Sequence, residues 1–419
     1  MSDASVFVVN SSHPEVDWLA SELSRQGVLS QYVRRYANKD RHWERILASV
    51  PVLRDSYAST VGRRRLPPGL SPTEVVDTGA LLDFGAAVLL RVGWGSYGVR
   101  LSNALLRRRN EIISARGATL AYNARVAVGN YGVSLPTFLR VKASGGRLVL
   151  NYPFAHHAFA YKLLKEEMER EPEFASTITL TYARNDEQYD QECELADLIL
   201  VGSSFVKETF RCEGVPTNKV VPVPYGFDPS VFSPGTSPRS SSGFRALFVG
   251  QVGQRKGIAY LLRAFKDIRG TGAELVIAGK FSRDPAPVMY YRELFTYAGN
   301  LPKPSLANLY RDCDVFVFPT LIEGMPLVIL EAMASGLPVI TTANGPGDIV
   351  RDGVDGFIVP IRDSNAIAER LEYLRANPAI RLEMGRAARA RALEFTWDRY
   401  CTNVAKVVLG AADIAERSA

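Results

Sequence analysis

Residues 313–340 decide the fold, and they read CDVFVFPTLIEGMPLVILEAMASGLPVI. The run that ends at Pro319 is apolar on both faces, which is typical of a central strand in a parallel sheet. After a short loop, Pro326 stands at the first turn of a helix, where its missing N–H costs nothing. Gly336 ends that helix, and a second apolar run follows. This order predicts a right-handed crossover between two parallel strands.

The same alternation of short strands and helices extends in both directions from this stretch. The predicted strands are 5–9, 125–129, 147–150, 198–201, 220–223, 245–250, 274–279, 314–319, 338–341 and 356–359. Helical patterns lie between them, for example at 160–170, 204–212, 258–268, 327–334 and 364–375. Strands that alternate with helices predict an α/β protein with parallel sheets.

Length and composition predict two domains and a final helix. A chain of 419 residues is too long for one ordinary core. Residues 233–243 read SPGTSPRSSSG, a linker composition, and a strand follows at once. We therefore predict an N-terminal domain at 1–225, a C-terminal domain at 226–395 and a C-terminal helix at 396–419.

The composition excludes several classes of protein. Hydrophobic residues make up 47% of the chain and charged residues 22%, which excludes a disordered or fibrous protein. The four cysteines fit no zinc or redox spacing, which favours reduced thiols in a cytoplasmic protein. The most apolar stretch, 79–98, is interrupted by Asp83 and Arg91, so we expect no membrane-spanning helix.

Basic residues are concentrated near the N-terminus. Residues 1–150 hold 20 Lys and Arg against 11 Asp and Glu, with clusters at 63–65 and 107–109. They form either a solvated face or a patch that contacts an anionic membrane or acceptor. No aromatic residues interleave with them in a recognised nucleic-acid-binding module, so we expect no nucleic-acid partner. The run 93–98 matches Gly-x-Gly-x-x-Gly but lacks the acidic residue that a dinucleotide site needs about 20 residues later.

The loop and helix at 323–331 carry the strongest functional pattern. Free N–H groups at the start of the helix, helped by its dipole, favour a diphosphate. Glu323 lies in the loop, and Glu331 lies eight positions later on the helix. A carboxylate can accept two hydroxyl groups, which suits the vicinal diols of a ribose or a hexose. Either glutamate alone could be an ordinary surface acid, but together they indicate a sugar-nucleotide site.

A second phosphate-binding pattern reads FVGQVGQRKG at 248–257. A glycine-rich turn between a strand and a helix lets the backbone approach phosphate, and cations there neutralise a leaving diphosphate. Gly250, Gln251, Arg255 and Lys256 are the candidates for donor binding. Arg255 alone could instead be a solvated arginine at a helix start.

Candidate acceptor residues follow two strands of the N-terminal domain. Ligands of open α/β sheets bind outside the carboxyl ends of strands. His156 and His157 follow one such strand, and Asn130 and Gly132 follow another. We choose His156 as the contact to the transferred sugar or the acceptor, and the alternative is a structural histidine.

The run 323–340 resembles the signature of family 4 glycosyltransferases. Glu323 and Glu331 have the spacing of that family's two glutamates. The resemblance implies the GT-B fold, in which two Rossmann-like domains face each other across a cleft and a C-terminal helix crosses back to the first domain. It also implies that Glu331 holds the donor ribose. Glu323 and the backbone of four residues would hold the transferred sugar and the phosphates: Gly324, Met325, Pro326 and Leu327.

Residues 145–400 are similar to the family, with two departures. Lys256 matches the family's lysine, but Gln251 stands where an arginine is usual, and we expect Arg255 to supply the second positive charge instead. Asp348 stands where a glutamate is usual. A family member often carries a histidine at the place of His156.

The resemblance implies a retaining, hexosyltransferase-type enzyme of carbohydrate biosynthesis. It would move a sugar from a nucleotide-diphosphate sugar to a hydroxyl of a glycan, a lipid or a small molecule, with Glu323, Lys256 and His156 as catalytic residues. We expect no cofactor besides the donor and no metal, and a peripheral contact with the anionic inner face of a membrane. The alternatives are a sugar-nucleotide epimerase and a degenerate GT-B protein that only binds sugar nucleotides; the departures at Gln251 and Asp348 leave the second open.

Overall fold

The computed structural model describes residues 6–11, 13–39, 42–49, 66, 69–91, 95–180, 186–235, 243–268 and 270–416. The basic cluster at 63–65 lies outside them. Most of the predicted linker at 233–243 and the first part of the glycine-rich run at 93–98 also lie outside them.

The described residues form two parallel sheets with helices between the strands. The strands are β1 (Val6–Asn10), β2 (Leu29–Arg35), β3 (Val75–Thr78), β4 (Val126–Asn130), β5 (Arg147–Asn151), β6 (Leu198–Val201), β7 (Val220–Pro222), β8 (Phe244–Val249), β9 (Ala273–Ala278), β10 (Phe295–Gly299), β11 (Val315–Phe318), β12 (Val339–Thr341) and β13 (Gly356–Ile358). The helices are α1 (Pro14–Arg25), α2 (His42–Ser49), α3 (Ala80–Arg91), α4 (Gly95–Leu120), α5 (Leu135–Ala143), α6 (His157–Arg170), α7 (Asp186–Leu195), α8 (Ser204–Cys212), α9 (Ile258–Asp267), α10 (Ala286–Met289), α11 (Lys303–Arg311), α12 (Leu327–Ala334), α13 (Ser364–Ala376), α14 (Pro378–Ala392) and α15 (Trp397–Glu416).

The first sheet has the strand order β3-β2-β1-β4-β5-β6-β7. Its ladders from β3 to β6 are parallel. Strands β1 and β4 are buried along their whole length, as expected for central strands covered on both faces. The order reverses between these two strands, and ligands of such sheets bind at the reversal.

The second sheet repeats this pattern with the order β10-β9-β8-β11-β12-β13, and its ladders are parallel. Every residue of β11 is buried, and the rings of Phe248 and Phe318 stack 5.8 Å apart across β8 and β11. Helix α9 packs against α13, and α12 packs against α14. The reversal between β8 and β11 marks the ligand edge of this sheet.

The chain forms two compact units. Among the described residues, the first unit holds those within Met1–Tyr152, Glu187–Leu200 and Cys401–Ala419, and the second holds those within Pro153–Asp186 and Val201–Tyr400. The second unit therefore includes α6, which precedes the second sheet in the chain. Helix α15 belongs to the first unit from Cys401 onward, and the Cys401 thiol donates to the Trp18 carbonyl at 3.5 Å. The domain bounds 1–225, 226–395 and 396–419 stay a prediction.

The predicted α/β class is confirmed. Every predicted strand forms, and each end differs by no more than one residue from the structure. Three further strands, β2, β3 and β10, were not predicted.

Candidate functional site

Two loops of the second unit meet at the reversal point of its sheet. One follows β8 and the other follows β11, and these two strands are paired. The Leu321 amide donates to the Arg255 carbonyl at 3.0 Å and joins the loops. Gly257 has φ 71°, and a Cβ there would lie 2.0 Å from the Pro319 carbonyl oxygen. Only glycine allows this approach, which brings the predicted cations to the loop that carries Glu323.

Arg255, Lys256 and Glu323 form one charged cluster. The Arg255 and Lys256 side chains both donate to Oε1 of Glu323. The Lys256 side chain is 9% exposed and that of Glu323 is 13% exposed. Burial, with the adjacent Arg255 charge, lowers the pKa of Lys256 to about 8. Burial acts to raise the pKa of Glu323, but the two cations hold it below its usual value. Two cations against one carboxylate leave an excess positive charge, which favours an anion.

Gly324 is held from two sides. The Ser203 hydroxyl donates to the Gly324 carbonyl at 2.6 Å. A Cβ at Gly324 would lie 1.8 Å from the Pro153 carbonyl oxygen, so the backbones touch there. The Tyr225 amide also donates to Sδ of Met325 at 2.8 Å. The loop therefore enters α12 along a fixed path, and the first N–H groups of a helix have no partner inside it.

Glu331 lies on α12 beside Tyr310. The Tyr310 hydroxyl is 3.3 Å from Oε2 of Glu331. Burial raises the pKa of Glu331 to about 7, although Lys303 and Tyr310 act in the opposite direction. At neutral pH the carboxylate is therefore partly ionised and can accept hydroxyl groups.

A cavity of about 310 Å³ opens at the carboxyl ends of β8, β9 and β10. Its lining includes Gly250, Gln251, Gly279, Asn300, Leu301 and Leu306. Leu306 and Tyr310 lie one turn apart on α11, so the same helix lines the cavity and contacts Glu331. The volume falls within the range of small-ligand pockets.

Among the residues that line this cavity, the sequence predicts only Gly250 and Gln251 as donor contacts, because it does not predict strand β10. One signal was present: Gly250, Gly279 and Gly299 each stand at the end of a strand, and the three strands are neighbours. Glycines at adjacent strand ends are typical of close backbone approach to a ligand.

His156 and His157 belong to the same unit as the cation cluster. The His156 amide donates to Oγ1 of Thr209 at 3.0 Å, and its ring stacks on His157 with centroids 4.4 Å apart. Burial, with the charges of His157 and Lys162, lowers the pKa of His156 to about 3. His156 is therefore neutral at physiological pH. Its Nδ1 atom is buried without a hydrogen-bond partner among the described residues.

A short loop connects these histidines to the charged cluster. Pro153 touches Gly324, and Cζ of Arg255 lies 5.4 Å from the centroid of the Phe154 ring. Helix α6 then begins directly after His156. The predicted donor residues and the predicted histidines thus share one unit.

Asn130 and Gly132 lie in the first unit, at the end of β4. The Asn151 side-chain amide donates to Oδ1 of Asn130 at 2.8 Å. The Gly132 amide donates to Oε2 of Glu192 at 2.6 Å. These polar groups are engaged within their own unit, and their role toward an acceptor stays a prediction.

The two departures from the family pattern have different positions. Gln251 lines the cavity. Asp348 faces α8: its Oδ2 atom accepts from the Ser204 amide at 2.5 Å, and its other oxygen accepts from the Ser204 hydroxyl. Asp348 therefore caps the start of α8, and a short acidic side chain suits that position.

The basic cluster at 107–109 is not one exposed patch. Arg109 is buried and pairs with Asp83 at 2.7 Å. Arg108 is exposed and pairs with Glu111 at 2.7 Å. Within the described part of the chain, no helix has both the length and the hydropathy to cross a membrane.

Comparison with known proteins gives a family match that includes both loops. Residues 243–377 match the family model described as glycosyl transferases group 1. An uncharacterized glycosyltransferase of Methanocaldococcus jannaschii is 28% identical over 247 residues, which cover 54% of this chain and 62% of the relative. The D-inositol 3-phosphate glycosyltransferase of Arthrobacter sp. is 32% identical over 195 residues, which cover 42% of this chain and 46% of the relative. The chain thus matches about half the length of these curated relatives.

A solved structure matches along nearly the whole chain. Anabaena HepE, in complex with UDP and glucose, superposes with a TM-score of 0.63 and 14% identity, covering 97% of this chain and 100% of the other. A likeness at this identity concerns the fold, and it confirms the predicted GT-B class.

Proposed function

We propose that this chain, whose residues 243–377 match the family model described as glycosyl transferases group 1, is a retaining glycosyltransferase. It moves a sugar from a nucleotide-diphosphate sugar to a hydroxyl group of a glycan, a lipid or a small molecule. One observation carries the proposal. Arg255 and Lys256 converge on Glu323 at the reversal point of the second sheet, beside the start of α12 and the cavity.

Each part of the donor has a matching group in the second unit. The cavity takes the base, and Glu331 accepts the ribose hydroxyls. Arg255, Lys256 and the first amides of α12 bind the diphosphate. Glu323 and the backbone from Gly324 to Leu327 hold the transferred sugar.

These groups favour departure of the diphosphate. Negative charge grows on the leaving oxygen as the sugar becomes oxocarbenium-like, and Lys256 and Arg255 neutralise that charge. Neutral His156 contacts the sugar or the acceptor as a hydrogen-bonding group. The acceptor hydroxyl attacks from the face that the diphosphate leaves and passes its proton to the departing phosphate oxygen, which retains the anomeric configuration.

The relatives support a nucleotide-sugar donor. HepE binds UDP and glucose, and the curated relatives are named glycosyltransferases. UDP conjugates are therefore the first donors to test.

A thermal-shift screen with UDP, GDP, ADP and TDP and their common sugar conjugates tests the donor site. Binding to the native state raises the melting temperature by mass action. We expect a clear shift with one nucleotide and its loss in Glu331→Ala. No shift with any of them, or an undiminished shift in the variant, would contradict the assignment.

We also propose a peripheral contact between α4 and an anionic membrane. Arg107, Arg108 and Arg116 are exposed on this helix, and Leu101 and Ile112 are each 37% exposed there. Basic residues near exposed apolar ones favour anionic lipid surfaces. Sedimentation with phosphatidylserine vesicles should show binding that salt weakens, and equal recovery with neutral vesicles would contradict it.

A further inference from the structure

A buried carboxylate lies directly behind the cation loop. Glu167 is on α6, the helix that begins after His156, and it is 0% exposed. Its Oε1 atom accepts from Nε2 of Gln254 at 2.6 Å and from the Tyr260 hydroxyl at 2.8 Å. Its Oε2 atom accepts from Nε of Arg362 at 2.7 Å. None of the roles assigned above uses this carboxylate.

Gln254 connects Glu167 to the cations. It begins the 3-10 turn Gln254–Lys256, and its side chain is fully buried. Its Oε1 atom accepts from the Ala259 amide at 3.0 Å, so both ends of the side-chain amide are engaged. Its own backbone amide donates to Oγ1 of Thr177 at 2.9 Å. These bonds fix the point from which the Arg255 and Lys256 side chains leave the backbone.

Arg362, which takes part in this network, has an unusual backbone conformation. It is the one non-glycine residue with positive φ in the described part of the chain, at 66°. An arginine in this conformation is unfavourable and persists only where the surroundings fix it. Here its guanidinium bonds both Glu166 and Glu167. Arg362 thus keeps an unfavourable backbone conformation while its guanidinium pairs with Glu167.

We propose that Glu167 is a positioning residue for the donor diphosphate: through Gln254 it holds the turn that presents Arg255 and Lys256. The proposal rests on the proposed function. Arg362 balances the charge of Glu167, so Glu167 affects donor binding through the geometry of the turn. Removing the contact lets Arg255 and Lys256 move away from the phosphate position.

This role has a consequence that general stabilisation would not have. Asn300, Leu301 and Leu306 line the nucleoside cavity and have no hydrogen bond to Gln254 or Glu167. Loss of the Glu167 contact should therefore weaken binding of the diphosphate and leave binding of the nucleoside unchanged. The quantity to measure is the ratio of the Kd of a nucleoside to the Kd of its diphosphate.

The test compares two variants with a matched control. Glu167→Leu and Gln254→Met each remove the hydrogen bond from one side, so one of them reports if the other does not fold. Glu171→Leu is the control, because Glu171 follows the same helix and accepts from Nη1 of Arg263 on α9 at 2.7 Å without touching Gln254. Calorimetry measures Kd for uridine and UDP, guanosine and GDP, and adenosine and ADP.

We expect the ratio to fall at least tenfold in both test variants and to stay within twofold of the wild type in the control. The nucleoside Kd should stay within twofold in all three proteins. An unchanged ratio in the test variants, or an equal fall in the control, would overturn the positioning role. If the wild type itself binds no diphosphate more tightly than its nucleoside, the proposed function fails, and this inference fails with it.

Discussion

Lys256 is a buried lysine whose charge, in the proposed mechanism, neutralises the leaving diphosphate. Its pKa of about 8, lowered by burial and by Arg255, means that the free enzyme loses this charge above pH 8. We expect kcat/KM for the donor to decline above that pH. The decline in kcat should begin at higher pH, because bound diphosphate favours the charged lysine. Lys256→Ala should lower kcat by roughly 10²–10³-fold.

The exposed Lys266 on α9 provides the control for Lys256, because it lies in the same unit. Lys266→Ala should keep the wild-type pH profile and rate. A wild-type kcat/KM that stays flat to pH 9.5 would contradict the role of Lys256.

The proposed contact of Glu331 with the ribose should give donor affinity the opposite pH dependence. Burial raises its pKa to about 7, so the carboxylate becomes protonated as the pH falls below 7. A protonated carboxyl accepts fewer hydroxyl groups, so donor affinity should weaken from pH 7 to pH 5 by about tenfold, the value of one hydrogen bond to a charged group. Glu331→Gln should weaken binding at pH 8 and remove this dependence.

A dideoxynucleoside diphosphate is the sharp control for Glu331, because it lacks both ribose hydroxyls. Its affinity should show no change that depends on Glu331 between pH 5 and pH 7. Calorimetry checks all these values, and equal pH dependence for the two ligands would place the ribose elsewhere.

At the scale of elements, the path of the loop into α12 depends on Gly324. A Cβ there would lie 1.8 Å from the Pro153 carbonyl oxygen, which cannot move aside as a flexible side chain could. Gly324→Ala should therefore displace the loop, lower donor turnover by more than tenfold and cost about 1–3 kcal/mol of stability. Gly347→Ala is the matched control, because its Cβ would meet only Cβ of Ala343, at 3.6 Å. Full activity of Gly324→Ala would show that the loop can shift without harm.

Two physical features explain why the sequence does not predict strands β10 and β2. The predictions relied on runs that are apolar on both faces. Strand β10 is an edge strand with no buried residue, and β2 contains Arg34, which is buried because it pairs with Asp17 at 2.9 Å. An edge strand does not need an apolar run. A buried ion pair places a charged residue in the core, and a hydropathy pattern does not recognise that position as buried.

The same distinction applies to the candidate site. Glu323, Gly324 and Glu331 were predictable because the loop and the helix that carry them are continuous in sequence. The contacts of Glu167 join residues 87 and 195 positions apart, and no local pattern announces them. The capping role of Asp348 likewise depends on Ser204, 144 positions away.

At the scale of the whole molecule, the two halves of the chain differ in how well the comparisons support their proposed functions. The family model covers residues 243–377, where the proposed donor-binding groups lie. The family model does not extend over the N-terminal part, so the acceptor stays a proposal. Asn130 and Gly132 are engaged within the first unit, and they do not by themselves define an acceptor.

Proton NMR of the product of sugar transfer tests the central claim most directly. The protein is incubated with the nucleotide sugar found in the thermal screen and a panel of glycan, lipid-linked and small-molecule acceptors. We predict a new anomeric signal with the same configuration as the donor, formed with release of the nucleoside diphosphate and nearly absent in Lys256→Ala. Inverted configuration, epimerisation of the donor without transfer, or binding without turnover on any acceptor would contradict a retaining glycosyltransferase.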